Sequence, residues 1–191
     1  MAATVPTFPL MILWKRRRSP SACMPANLGN SLSIDCDDEA ATDRLGACIA
    51  ESVVEGLVVE LNGQLGAGKT RLVRAICESL GIDITQVNSP TFVLLQLYTD
   101  GRIPVAHFDT YRLGDTDEFM AIGADEFTNS SDWLCLIEWA ERVVECLPDD
   151  RLRVDISATS VNARHFVLSS TGSKGTALLQ RIRRNNDQTQ R

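Results

Sequence analysis

Residues 63–70, GQLGAGKT, have the types and spacing of a loop that could bind phosphate groups. They match the pattern G-x-x-x-x-G-K-[ST], in which glycines let the backbone turn tightly and bring its N–H groups close to an anion. Lys69 can reach the terminal phosphates of a nucleotide, and the Thr70 hydroxyl can ligate Mg²⁺. An apolar run at 57–61 precedes the loop and an amphipathic segment follows it, which favours this interpretation over a chance glycine-rich turn. The residues predicted to contact the nucleotide here are Gly63, Gln64, Leu65, Gly66, Ala67, Gly68, Lys69, Thr70 and Arg71.

Two carboxylates stand at the ends of apolar strands and could complete such a site. Asp109 follows the apolar run 105–108, and Glu138 follows 134–137. Nucleotide hydrolysis needs an acidic residue near the metal and a group that orients the attacking water, so both residues are candidates. Each could instead cap the next helix or pair with a nearby arginine, and for either residue alone the two interpretations are about equal. The phosphate-binding pattern upstream shifts both toward a functional role.

A proline-containing segment, Ser89-Pro90-Thr91-Phe92, connects the helix after the loop to the next strand. In nucleotide switches this region carries a hydroxyl that senses the γ-phosphate or its Mg²⁺. The alternative is an ordinary proline turn, since Pro90 keeps the preceding residue out of the helical region. Spacing alone does not decide between the two.

The elements that must position these residues are strands alternating with helices early in the chain and paired strands late. Helices are predicted at about 37–55, 68–80, 116–122 and 140–146, and strands at 57–62, 92–97, 104–108, 133–137, 152–156 and 165–168. This order predicts a P-loop NTPase-like α/β domain with a mixed, mostly parallel central sheet flanked by helices. A nucleotide would bind at the carboxyl ends of the strands.

Composition excludes several classes of protein. The chain has 191 residues and a net charge of −6, which suits one domain and disfavours coating of nucleic acid through bulk electrostatics. Its six cysteines are scattered without a C-x-x-C pair and only two histidines occur, so a structural zinc site is not expected. No apolar run approaches the length of a membrane span, and we expect a cytoplasmic protein with reduced thiols and no membrane contact.

The two ends of the chain differ in character from the middle. Residues 1–34 contain no acidic residue, and we expect a disordered basic extension or an artefact of gene calling in which Met24 is the true start. A weak likeness to an organelle transit segment is the alternative, whereas the order of charge and apolar residues is opposite to that of a secretory signal. The folded domain is predicted to span 35–170, followed by a polar, frayed tail at 171–191.

Four motifs together resemble the TsaE family, the small ATPases needed for threonylcarbamoyladenosine modification of tRNA. These motifs are GQLGAGKT, then SPTF, then HFDTYRL at 107–113, and then LIEWAER at 136–142, in that order and spacing. The resemblance runs from about residue 38 to residue 168. The HFD-x-YRL and IEW segments make it specific, because generic phosphate-loop proteins lack them.

The resemblance implies chemical roles for matched residues. Lys69 would bind phosphates as part of the catalytic machinery, and Thr70 with Glu138 would bind the metal. Asp109 matches the essential aspartate of the family, which orients water or metal. Thr110 departs from the pattern, since leucine is usual at this position.

Further contacts with the nucleotide are implied outside the loop. Trp139 matches the tryptophan beside the nucleotide, and Thr42 matches a threonine near it. Arg164 loosely matches a late arginine that contacts it. The segment 89–92, comprising Ser89, Pro90, Thr91 and Phe92, resembles the mobile switch of the family.

The function implied by the resemblance is Mg²⁺-dependent binding and hydrolysis of ATP to ADP in tRNA threonylcarbamoyladenosine modification. The family acts with the transferase TsaD and its companion TsaB, and would meet tRNA only through that complex.

Two alternative functions stay open. A small-molecule kinase needs an arginine-bearing lid, and no insertion between Arg71 and Arg151 is long and basic enough for one. A non-catalytic nucleotide-binding assembly module is the other.

Overall fold

The centre of the fold is a seven-stranded sheet in a computed structural model that describes residues 30–189. The strands are β1 Ser31–Cys36, β2 Val58–Asn62, β3 Leu95–Tyr98, β4 Val105–Asp109, β5 Leu134–Glu138, β6 Arg151–Ala158 and β7 Arg164–Thr171. Their order across the sheet is β1-β7-β6-β2-β5-β4-β3. Strands β6, β2, β5 and β4 run parallel in the centre, and the pairs at both edges are antiparallel. The predicted α/β fold with a mixed sheet is confirmed.

Helices cover both faces of this sheet. They are α1 Glu39–Ser52, α2 Lys69–Ser79, α3 Thr116–Ala121, α4 Ala124–Thr128 and α5 Gly172–Thr189. Helix α1 begins where the Asp38 carboxylate accepts a hydrogen bond of 2.6 Å from the N–H of Ala41, which caps its first turn. It packs closely on α2, and the contact requires glycine at position 46, since a Cβ there would lie 2.3 Å from the Cβ of Ala75. None of the helices in residues 30–189 is long and apolar enough to cross a bilayer.

The central strands are buried along their whole length, as expected for parallel strands covered on both faces. Side chains alternate between the faces, so β4 presents Val105 to the core under α1, α2 and α5 and presents Phe108 to the core under α3 and α4. The same alternation places His107 and Asp109 on the face of Val105. Polar residues are thereby directed from a buried strand toward the N-terminal end of α2.

The predicted frayed tail at 171–191 is wrong for the part that the structure describes. Residues Gly172–Thr189 form α5, in which Leu178, Leu179 and Ile182 are buried in the main core. Few apolar residues occur in this polar segment, but their spacing places them on one narrow stripe of the helix. The folded domain therefore extends beyond residue 170.

The predicted start of the domain at residue 35 is also too late. Strand β1 begins at Ser31 and pairs antiparallel with β7 along its whole length, from Ser31 beside Ser169 to Cys36 beside Arg164. The expectations for residues 1–29 lie outside the described residues.

Two predicted elements next to the candidate site have different bounds. The strand predicted at 92–97 begins only at Leu95, because Leu94 has a φ of 66° and its N–H donates to Pro90 O at 2.6 Å, which closes a tight turn. The helix predicted at 140–146 consists of two short 3₁₀ turns, Ala140–Arg142 and Val144–Cys146. Trp139 precedes them with a φ of 60°, a left-handed conformation that interrupts a regular start of the helix.

Candidate functional site

The glycine-rich loop connects β2 to α2 and has a backbone that side chains would not tolerate. Gly63, Gly66 and Gly68 have φ angles of 147°, 78° and 106°. A Cβ at Gly63 would also lie 2.5 Å from the carbonyl oxygen of Ile156 on β6. Helix α2 starts directly after Gly68 and has no side-chain cap, so the N–H groups of its first turn are available to an anion. The loop thus has the form that the phosphate-binding pattern predicts.

Lys69 lies inside this loop and is only 5% exposed. Its Nζ donates to the carbonyl oxygens of Gly63 at 2.7 Å and Gln64 at 3.1 Å. The ammonium group also lies 3.6 Å from the ring centroid of Trp139, in cation–π geometry. Burial lowers the pKa of Lys69, and the negative charges of Glu138, Glu141 and Asp109 oppose that shift. The lysine is therefore a desolvated cation close to where phosphates would bind.

Glu138, at the carboxyl end of β5, faces the first turn of α2. The Thr70 hydroxyl donates to its carboxylate, with Oγ1 2.8 Å from Oε1 and 3.0 Å from Oε2. His107 Nε2 lies 2.9 Å from Oε1 of the same carboxylate. In the part of the chain that the structure describes, Glu138 has no arginine or lysine ion-pair partner. A hydroxyl and a carboxylate in contact are the protein ligands that Mg²⁺ takes beside nucleotide phosphates.

The donor set also fits the few protein ligands that such a metal needs. Residues 30–189 contain no group of three or more His, Cys, Asp or Glu side chains that could hold a metal ion by themselves. Mg²⁺ usually keeps several waters and binds through one or two carboxylates plus substrate phosphates. Thr70 and Glu138 fit this mode, in which a nucleotide and water supply the other ligands.

Asp109 is the link between β4 and the predicted switch segment. Its Oδ2 accepts hydrogen bonds from the hydroxyls of Ser89 at 2.5 Å and Thr91 at 2.7 Å. Its Oδ1 accepts from the N–H of Tyr111 at 3.0 Å. The carboxylate thus holds both hydroxyls of the segment 89–92 at the edge of the loop.

The tip of this segment lies in solvent. Phe92 is 82% exposed and Val93 is 65% exposed. The Arg112 guanidinium carbon lies 4.3 Å from the centroid of the Phe92 ring. A segment with partly buried hydroxyl contacts at one end and an exposed apolar tip at the other can join the site to a surface.

The main cavity brings the predicted catalytic and metal-binding residues together. It has a volume of about 440 Å³. It is lined by Leu65, Gly66, Gly68, Lys69, Thr70, Arg71, Ser89, Thr91, Asp109, Tyr111, Glu138 and Trp139. The register explains this convergence, because Asp109 lies beside Glu138 in the parallel pair of β4 and β5.

A smaller cavity of about 100 Å³ adjoins the other side of the loop and contains the predicted contacts Thr42 and Arg164. Its lining includes Thr42, Gly68, Arg71 and Arg164. The Thr42 hydroxyl donates to the backbone oxygen of Asp38 at 3.4 Å. Thr42 and Arg164 therefore lie together beside the loop, although not in the main cavity.

The two arginines of this smaller cavity have partners within the protein. Arg71 bonds Asp43 at 2.9 and 2.5 Å, and these hydrogen bonds raise its pKa. Arg164 donates from Nε to Ala67 O at 2.9 Å and from Nη2 to Gly66 O at 3.4 Å. Its Nη1 donates to three further backbone oxygens at positions 160, 161 and 163. Arg164 thus holds the loop against the β6–β7 connection.

Sequence reasoning missed three residues at the site. The Tyr111 ring lies 4.9 Å from the ring of Trp139, and it also lines the main cavity. The Thr110 hydroxyl donates to the backbone oxygens of Glu138 at 3.0 Å and Trp139 at 2.7 Å, which ties the ends of β4 and β5 together. His107 contacts Glu138. Side-chain alternation along β4 places His107 on the face of Asp109, but it does not indicate the contact with Glu138.

The fold and the site together define a single α/β domain with a mixed sheet and a glycine-rich loop that matches the phosphate-binding pattern. The family model "Threonylcarbamoyl adenosine biosynthesis protein TsaE" matches residues 36–166. The chain belongs to the TsaE family, which confirms the resemblance seen in its motifs.

Individual relatives agree with this placement. The chain is similar to the tRNA threonylcarbamoyladenosine biosynthesis protein TsaE of Bacillus subtilis (strain 168), with 34% identity over 81% of this chain and 94% of the relative. The protein of the same name from Treponema pallidum (strain Nichols) is 36% identical over 70% of this chain and 98% of its own length. The crystal structure of Bacillus subtilis YdiB matches with a TM-score of 0.68 and 27% identity, covering 82% of this chain and 96% of that chain.

Proposed function

We propose that this protein binds and hydrolyses ATP with Mg²⁺ in the biosynthesis of threonylcarbamoyladenosine in tRNA. One observation carries the chemical part of the proposal. The Thr70 hydroxyl and the Glu138 carboxylate are in contact at 2.8 and 3.0 Å beside Lys69, in the cavity formed by the glycine-rich loop. Membership of the TsaE family supports the biological part.

Phosphate binding would use groups that the loop already presents. The N–H groups at the start of α2 and the Lys69 ammonium face the same anion site. Lys69 would exchange its hydrogen bonds to the Gly63 and Gln64 carbonyls for phosphate oxygens. Thr70 and Glu138 would hold Mg²⁺, which neutralises charge on the phosphate oxygens when it is bound.

Asp109 would orient the attacking water, as the family pattern implies. In the structure its Oδ2 instead accepts from Ser89 and Thr91. A nucleotide that draws these hydroxyls toward its γ-phosphate would release the carboxylate for water and move the segment 89–92 at the same time. Turnover and switch movement would then be coupled through one side chain.

Adenine recognition would use the smaller cavity. Thr42 and Arg164 line it, and it shares Gly68 and Arg71 with the main cavity. A nucleotide whose phosphates occupy the loop can therefore extend its base and ribose into this neighbouring space. Trp139 lies on the opposite side of the loop, beside Lys69, and would sense the phosphates.

The partners would be homologues of TsaB and TsaD, with tRNA contacted only through them. The exposed tip at Phe92 and Val93 supports a protein partner, because large apolar side chains in solvent on a nucleotide-sensing segment favour nucleotide-dependent docking. Co-purification with both homologues should be stronger with ATP than without it and should weaken for Phe92→Ala. Equal recovery with and without nucleotide would contradict this assignment. A cytoplasmic location stays a prediction from the sequence.

Nucleotide binding and turnover can be tested directly. Trp139 fluorescence should change when ATP and Mg²⁺ are added, because Lys69 leaves the indole ring for the phosphates. Trp139→Phe is the control for the signal from other tryptophans, and Lys69→Ala should abolish the binding. Phosphate should be released without any added acceptor, whereas a kinase would need one.

Asp109→Ala separates an ATPase from a module that only binds nucleotide. Turnover should fall while ATP binding largely survives. Unchanged phosphate release in this variant would show that Asp109 does not orient water. Absence of any nucleotide-induced fluorescence change in the wild-type protein would overturn the proposed function itself.

A further inference from the structure

His107 is a polar side chain in the interior of an apolar strand. It is 0% exposed in the middle of β4 and does not line the main cavity. Burying an imidazole costs free energy unless its polar atoms find partners. Its Nε2 does so, 2.9 Å from Oε1 of Glu138. The histidine therefore contacts Glu138, the candidate metal ligand, from within the protein interior and not from the cavity.

The direction of this hydrogen bond follows from the chemistry of the carboxylate. Glu138 also accepts from Thr70, and an ionised carboxylate can only accept. Nε2 of His107 must then carry the proton. Nδ1 is buried without a hydrogen-bond partner among the described residues. A bare lone pair there is less costly than an unpaired N–H, which favours a proton on Nε2 over one on Nδ1.

We propose that His107 is a positioning residue that fixes the Glu138 carboxylate for Mg²⁺ bound with the nucleotide; this rests on the proposed function. Within the described contacts of that carboxylate, the other donor is Thr70, which is itself a candidate metal ligand. When Thr70 turns to a metal, His107 still holds Oε1 in place and leaves Oε2 directed at the cavity. Partners that orient a metal ligand in this way typically change metal affinity about 10- to 100-fold when removed.

Two substitutions separate this role from simple packing. His107→Leu removes the donor at similar volume, and His107→Gln keeps an N–H close to the position of Nε2. Tyr98→Phe is the matched control, because the buried Tyr98 ring lies 6.5 Å from that of His107 and the substitution removes only a hydroxyl. Each variant is titrated with ATP in EDTA and then with Mg²⁺ at fixed ATP, and Trp139 fluorescence reports binding.

His107→Leu should raise the Mg²⁺ concentration for half-saturation about 10-fold and leave affinity in EDTA unchanged. His107→Gln should recover most of the loss, and Tyr98→Phe should match the wild type. The proposal is overturned if His107→Leu has the Mg²⁺ dependence of the wild type. It is also overturned if EDTA and Mg²⁺ affinities fall equally, or if Gln gives no recovery.

A measurement on the wild-type protein covers the case in which His107→Leu does not fold. The chain has only two histidines, so the ¹⁵N signals of His107 can be assigned by comparison with a His165→Gln variant. The ¹⁵N shifts should show a protonated Nε2 and a bare Nδ1, and the opposite tautomer would overturn the proposal. Failure of the wild type to bind Mg²⁺–ATP would refute the proposed function, and this inference with it. Normal wild-type binding with no effect at His107 would refute this inference alone.

Discussion

Two buried glutamates on adjacent strands have opposite surroundings. Glu60 on β2 is 1% exposed and Glu138 on β5 is 3% exposed. In the parallel pair, Glu60 lies beside Ile137 and Leu61 lies beside Glu138, so the two carboxylates point to opposite faces of the sheet. Glu60 forms an ion pair with Arg151, which also donates to Pro148 O at 2.5 Å.

Glu138 instead contacts a hydroxyl and an imidazole and, in residues 30–189, has no lysine or arginine ion-pair partner. Buried charges are normally paired or coordinate a metal. The chain itself neutralises Glu60, whereas the charge of Glu138 suits a cation from solution. Burial alone therefore does not identify a functional carboxylate; the nature of its partners does.

The largest effect is expected from removing the charge of Glu60. Glu60→Gln leaves Arg151 without its carboxylate and should lower the free energy of unfolding by about 3 kcal/mol, measured by urea denaturation. ATP turnover per folded molecule should be unchanged. The double variant Glu60→Leu/Arg151→Met should recover much of the stability, since it removes both charges. A loss below about 1 kcal/mol would show that Glu60 is not held by its arginine.

The reverse result is expected at Glu138. Glu138→Gln removes the charge that would hold Mg²⁺ and should lower the phosphate-release rate about 100-fold or more. Its free energy of unfolding should change by less than about 1 kcal/mol, because no buried cation is left unpaired. If Glu138→Gln destabilises the fold as much as Glu60→Gln and turnover survives, the distinction between the two glutamates is wrong.

Asp109 extends the comparison to a third carboxylate, which holds the predicted switch segment 89–92 through hydrogen bonds to Ser89 and Thr91. Thr91→Val removes a hydrogen bond of 2.7 Å to Asp109 and should make the segment 89–92, with the turn up to Leu94, open more easily. Loss of a hydrogen bond to a charged group weakens the closed state by about 1.5 kcal/mol, or roughly tenfold in local opening. The reporter is hydrogen exchange at Leu94, whose N–H bonds Pro90 O. Thr91→Ser keeps the hydroxyl and is the control, which should exchange at the wild-type rate. An unchanged exchange rate at Leu94 in Thr91→Val would show that Asp109 does not hold the segment through Thr91.

The smallest expected effect is the contribution of Lys69, the buried cation of the site, to the pH dependence of the free energy of unfolding. Burial lowers the pKa of Lys69 below its ordinary value of 10.5, so the unfolded chain holds more protons than the folded chain between the two values. The free energy of unfolding of the wild type minus that of Lys69→Met should therefore rise with pH up to about 10.5. Taking the difference cancels the titration of buried thiols. A difference that stays flat or falls would show that Lys69 is not desolvated.

The site was predictable because its chemistry lies in short, fixed spacings. The positions of the loop glycines, Lys69 and Thr70 are local features that need no knowledge of the rest of the fold. Asp109 and Glu138 end apolar strands, and parallel strands bring their carboxyl ends to one edge. The roles of Asp109 and Glu138 in turnover stay predictions, and so do the nucleotide contacts expected of Thr42 and Arg164.

His107 could not be identified by the same reasoning. Its register partner on β5 is Leu136, and it reaches Glu138 only by extending along the sheet. A histidine within an apolar strand has no local signal that separates a core residue from a positioning one. Its role depends on which side chain the neighbouring strand presents, and sequence spacing does not supply that.

The predicted and observed ends of the domain differ for two separate physical reasons. Helix α5 is polar in composition and is stabilised by packing of a few apolar side chains on α1 and the sheet, which is how most helical stability in proteins arises. Strand β1 did carry a signal, since Leu32, Ile34 and Cys36 alternate with polar residues. The predicted boundary at residue 35 rests instead on the acidic residues in 35–39, the first of which lies within β1.

Trp139 has a consequence for engineering this protein. A non-glycine residue in the left-handed region, here with a φ of 60°, costs about 1 to 2 kcal/mol relative to glycine. Trp139→Gly would relieve this strain, but it would also remove the indole ring that contacts Tyr111 and faces the Lys69 ammonium group. Glycine at this position is therefore no simple route to a thermostable variant, because the surrounding packing holds the ring in place despite its strained backbone.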